Sequence, residues 1–150
     1  MAGLDLEAVA EALAGAVAAA SGVRRAYPLV PERISETPCA YVAFPERVTY
    51  STRFGKGAAE AEIPVTLVAG RVNADDAQLW LLRFASNRPP ADVDDPVGVV
   101  DAIQADRTLG GLVSTLVVSE NRNTRAVADH GGAQFIVTDF VVTVTAPKGA

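Results

Sequence analysis

The sequence predicts an α+β fold, an antiparallel or mixed four-stranded sheet with helices packed on one face. Three observations carry that expectation. An amphipathic segment opens the chain, alternating apolar runs come in hairpin pairs, and two helical stretches separate the pairs. The expected order is helix, two strands, two helices, two strands, in one domain of 150 residues. A chain of that length buries a sizeable core and leaves little room for a second domain.

Leu6, Val9, Leu13 and Val17 recur at three- and four-residue spacing with Glu7 and Glu11 between them, one apolar stripe on a helix. Asp5 is placed to cap it and Ser21-Gly22 to stop it. Pro28, Pro31, Pro38 and Pro45 then exclude helix and force an extended path. Within that path residues 39–44 read as a short apolar strand. Residues 48–54 and 61–69 read as a hairpin with Gly55-Lys56-Gly57 at its tip. Ile63, Val65, Leu67 and Ala69 alternate with Glu62, Pro64 and Thr66, as a half-buried strand requires. Pro64 has no N–H for a ladder, which points to an edge position or a bulge.

Asn73 is the expected cap of a second helix, with Asp75 and Asp76 suited to its positive start. Leu79, Trp80, Leu82 and Phe84 give it a broad apolar face, and Asn87-Arg88-Pro89-Pro90 ends it. Asp95-Pro96 opens a third, short helix carrying Val97, Val100 and Ile103, and Gly110-Gly111 closes it. Residues 112–120 and 134–145, rich in Val, Thr, Ile and Phe, make a last strand pair. Residues 121–133 between them read as a long loop carrying Arg122, Arg125, Asp129 and His130.

Composition excludes several kinds of function. One Cys rules out a disulfide framework, and one Cys with one His cannot build a usual zinc site. A net charge of −5 with 13 Lys+Arg, spread rather than striped, is a poor nucleic-acid footprint. Asp5, Glu7 and Glu11 break the apolar run at residues 4–20, so neither a signal peptide nor a bilayer span is expected there. Gly55-Lys56-Gly57 lacks the spacing and the following helix of a phosphate loop. Cys39 and His130 could in principle make a nucleophile–base pair, but Cys39 sits in an apolar strand where a thiol is buried and inert. Asp92, Asp94 and Asp95 lack the offsets of a calcium loop and read as an acidic linker. No cofactor and no metal site is expected.

Several features, taken in chain order, resemble one family. They are the helix ending at Gly22, then Tyr27-Pro28 and Pro31, then Thr37-Pro38-Cys39-Ala40-Tyr41-Val42. A long hairpin at 48–69, Arg71 leading into the helix with Leu79 and Leu82, residues 97–103 and Leu109-Gly110-Gly111 complete the pattern. Over most of its length the chain resembles the tail terminator and tail-completion (head–tail joining) proteins of long-tailed bacteriophages. The resemblance implies a non-enzymatic virion protein of the tail and neck, assembled in the host cytoplasm. It would form a ring, usually a hexamer, that caps the tail tube, ends its polymerisation and meets a head-completion or neck protein. DNA would pass the channel without specific binding, and no membrane is involved. Two neighbouring classes stand beside it, another neck or tail-tube subunit and a small cytoplasmic ligand-binding or enzyme domain. The candidate interface residues are Arg53, Lys56, Arg122, Arg125 and His130, all in the two long loops. Charge reversal at Arg122 and Arg125 is expected to weaken assembly and to leave the fold intact.

Overall fold

The computed structural model describes residues 4–20, 23–51, 58–72, 76–86 and 98–146. Helix α1 (Leu6–Val17) leads into strands β1 (Arg25–Tyr27), β2 (Cys39–Val42), β3 (Arg47–Ser51) and β4 (Ala58–Arg71). Helices α2 (Ala77–Ala85) and α3 (Val99–Gln104), then a 3₁₀ turn at Leu109–Gly111, precede β5 (Thr115–Ala128) and β6 (Gln134–Thr145). The fold is α+β with a mixed sheet of six strands in the order β1-β2-β4-β6-β5, and β3 pairs with β4. The expected four strands are therefore two too few, because β1 and β2 join the same sheet. β1 runs parallel to β2, Tyr27 opposite Tyr41, and every other pairing is antiparallel.

The first helix forms as its pattern requires. The Asp5 carboxylate accepts the Ala8 N–H at 3.2 Å, and Val9, Leu13 and Val17 point into the core. It ends at Val17 on tightened backbone bonds, Ala19 N–H to Ala16 and Ala20 N–H to Val17, ahead of the expected glycine stop. Gly22 lies outside the described residues, as do Asn73, Asp75, 87–97 and the hairpin tip with Arg53 and Lys56. The second helix starts at Ala77 after Asp76 and the third at Val99 after Gly98, while the expected Asp95-Pro96 start lies outside the described residues.

The helices contribute to one apolar core against the sheet. Leu13, Val17, Phe84, Val99 and Ile103 meet Ile63, Val65, Leu67, Leu116, Phe140 and Val142 there. A smaller cluster on the opposite sheet face joins Cys39, Tyr41, Val68, Phe135 and Val137 and is covered in part by Ile34. β4 is thus covered on both faces over much of its length, and Pro64, Thr66 and Val68 are buried with their neighbours.

Pro64 is not on an edge. Residues 65–68 of β4 pair with β2 and residues 58–62 pair with β3, on one flank of the strand. The Pro64 carbonyl points to that flank and accepts the Ala43 N–H at 2.9 Å. A residue's N–H and C=O share one side of a strand, so the missing donor falls in the gap between β2 and β3. The β6 ladder on the other flank loses nothing, and a proline sits in a central strand.

The expected loop at 121–133 is mostly strand. β5 pairs with β6 as far as Ala128 opposite Gln134, with register shifts between Val118 and Glu120 and between Arg122 and Arg125. Asn123, at φ 66°, lies within the second shift. Only residues 129–133 turn the chain, with Gly132 at φ 84°. The Gly110-Gly111 pair likewise adopts positive φ, 69° and 95°, as a chain reversal should.

Candidate interaction surfaces

Parallel pairing of β1 with β2 has a direct spatial consequence. Both strands finish at one end of the sheet, so residues 28–30 and 43–45 leave it side by side. The first two turns of α1 lie against them through Leu6 and Ala10, and Val42 and Ile63 form the floor. The result is a groove of about 460 Å³ in which Glu7 and Glu11 are the ionisable lining residues among those described. Its rim is apolar and open to water, with Leu29 73% exposed, Val30 62% and Phe44 87%. Three large apolar side chains exposed around one groove make it a candidate contact surface.

A second apolar surface lies on α2. Ala77 and Phe84 face the core, Trp80 packs beside them, and the Trp80 and Phe84 rings stack at 5.4 Å. The opposite side of the helix carries Leu79 and Leu82 into solvent, Leu82 at 68%. The sequence groups both leucines with Trp80 and Phe84 on one broad apolar face, and the structure divides that face in two. A nine-residue helix lying on a sheet has room for one face in the core, and the aromatic pair occupies it. Arg83 stands next to Leu82, its guanidinium 5.3 Å above the Trp80 ring.

The loop arginines are not a free charged surface. Arg122 pairs with Glu120 at 2.8 Å and with Glu46 across the sheet. Arg125 reaches Asp139, 3.2 Å away, whose side chain is 4% exposed and accepts the Thr66 hydroxyl at 2.8 Å. Arg125 therefore supports the fold, and its reversal cannot leave the fold untouched. His130 is exposed on the β5–β6 turn, where its backbone N–H donates to Glu32 at 3.0 Å. Cys39 is fully buried in the sheet, and burial pushes its thiol up to about 12. The two are not set up as a nucleophile and base. Among the described residues no group of three or more His, Cys, Asp or Glu is placed to hold a metal, and no helix is long and apolar enough to cross a membrane.

Asp129 organises the β5–β6 turn. Its carboxylate accepts the N–H groups of Gly131 (2.9 Å), Ala133 (3.1 Å) and, from the segment crossing the sheet, Ile34 (3.2 Å). These donors, Ile34 first, hold its pKa below the ordinary carboxylate value of 3.8. A depressed folded pKa means the contribution to stability is complete above the unfolded value and disappears as pH falls through the folded one. In an NMR titration the Ile34, Gly131 and Ala133 amides should therefore shift together with a midpoint below 3.8, and Asp129→Asn should abolish that step. A midpoint at or above the ordinary value would show that the three bonds do not hold in solution.

Sequence reasoning missed both apolar surfaces. The groove had one available signal, an apolar Leu29-Val30 pair set between Pro28 and Pro31, followed later by Phe44-Pro45. Prolines on both sides hold such a pair in a loop that cannot fold back as a regular element. In comparisons with protein-family models and with curated proteins, nothing matches this chain.

Proposed function

We propose that the protein is a non-enzymatic, self-associating structural subunit of the phage tail-terminator class, which caps a tail tube as a ring and joins it to the neck. The observation that carries this reading is the apolar rim of Leu29, Val30 and Phe44 around a groove whose polar lining, among the described residues, is confined to Glu7 and Glu11 on the α1 wall. Such a surface serves contact; a catalytic pocket needs positioned acids, bases or donors. The net charge of −5 suits a conduit that DNA passes without sticking. Of the loop residues, Arg122 and His130 remain candidate contacts with the tube, together with Arg53 and Lys56.

The test is a tube-growth assay. Added to polymerising tail tubes of its own phage, the protein should stop elongation at substoichiometric amounts, counted per tube subunit, and decorate one tube end in negative-stain images. Continued growth with the protein built into the tube wall would make it a tube subunit instead, and unaffected growth would remove the terminator reading. The groove's volume favours one second reading, an apolar small-molecule site. That reading requires a monomer whose melting temperature rises with an apolar ligand.

A further inference from the structure

We infer that the groove beside α1 receives the exposed face of α2 from a second copy of this chain, so that copies join head to tail. This inference rests on the self-association just proposed and says which surfaces make it. The two surfaces match in chemistry. The groove is apolar and carries two carboxylates, Glu7 and Glu11, one helical turn apart on its α1 wall. The α2 face carries Leu79 and Leu82, also one turn apart, with the cation of Arg83 beside them. A helix laid along such a groove places its leucines on the apolar floor and its arginine toward the acidic wall.

The two surfaces also lie where one subunit cannot join them to each other. The groove is at the end of the sheet where β1 and β2 finish. Helix α2 follows Arg71, at the far end of β4, beyond the Val68 that pairs with the first residue of β2. A patch and a groove that differ in shape and lie apart make a heterologous contact, which repeats from copy to copy and closes into a ring when the rotation permits.

The surfaces are separable by substitution because Leu82 and Phe44 are both largely exposed. Leu82→Glu removes the knob and Phe44→Glu spoils the groove, and each variant should melt as the wild type does. By sedimentation the wild type should form closed oligomers, and each variant alone should associate about thirtyfold more weakly or worse. An equimolar mixture of the two should give a heterodimer and nothing larger, because one intact knob meets one intact groove. Glu11→Arg and Arg83→Glu should each weaken assembly about fivefold, and the double reversal should restore it. If either glutamate variant assembles as the wild type does, the inference is overturned while self-association stands. A wild type that remains monomeric at every concentration also overturns it, and the tube-growth assay then decides the capping role separately.

Discussion

Arg125→Glu should destabilise the protein by about 2–4 kcal/mol, whereas Arg122→Glu should cost about 1 kcal/mol or less. The two arginines lie on the same strand and look interchangeable in sequence, but they face different partners. The Asp139 carboxylate is 4% exposed and has the Thr66 hydroxyl and the Arg125 guanidinium as its partners. Reversal of Arg125 leaves that buried charge without its cation and adds a second carboxylate beside it. Breaking a fully buried pair costs about 3–5 kcal/mol, and the 38% exposure of the Arg125 side chain reduces that figure. Arg122, by contrast, pairs with Glu46 and Glu120, all three at least 36% exposed, where ion pairs contribute little. Urea denaturation of the two variants checks the difference. Equal losses would mean that Asp139 keeps its partner in neither protein or that both arginines are solvated. Combining Asp139→Asn with Arg125→Met should recover most of the Arg125→Met loss, because no uncompensated charge remains. For assembly the consequence is practical. Arg122 is a usable probe of a tube contact and Arg125 is not.

What the sequence showed, and what it hid, divides along the range of the interactions involved. Helix α1 was legible because its spacing and its Asp5 cap are local facts. The β3–β4 hairpin was legible for the same reason, through the alternation of residues 61–69 and the glycine-rich tip before them. β1 was not, since Arg25-Ala26-Tyr27 has no pattern of its own and becomes a strand only by lying parallel to residues 39–41. The second half of β5 was hidden similarly. Its run from Asn121 to Arg125 is polar throughout and reads as loop, but the apolar ladder of β6 supplies a partner and register shifts absorb the mismatch. Pro64 misled because its consequence depends on which flank its missing donor faces. That is decided by where β2 ends and β3 begins.

The same limit applies to the candidate contact surface. A count of apolar residues cannot say which of Leu79, Trp80, Leu82 and Phe84 points inward, since all four fall within two turns. The groove is still less visible, because it exists only where two parallel strands stop together beside α1. Charged loop residues were the natural candidates in the sequence. The structure engages two of them in ion pairs within the chain and leaves leucines and a phenylalanine in water instead.

Phe84→Ala should lower stability by about 3–5 kcal/mol, and Leu82→Ala, two residues earlier on the same helix, should change it by no more than about 0.5 kcal/mol. Phe84 is 1% exposed and stacks with Trp80 against the core that α1, α3 and the sheet share. Truncation removes a buried ring, leaves a cavity the rigid sheet cannot close, and deprives Trp80 of its stacking partner. Leu82 is 68% exposed, so its removal takes little from the isolated subunit. The assembly measurement should show the reverse order at a temperature where both variants are folded: near-normal association for Phe84→Ala and weakened association for Leu82→Ala. A helix serving only its own subunit's core would give parallel losses in stability and assembly, because any defect in assembly would then follow from unfolding. Opposite orders in the two measurements require that one face of α2 holds the subunit together and the other face meets a neighbour.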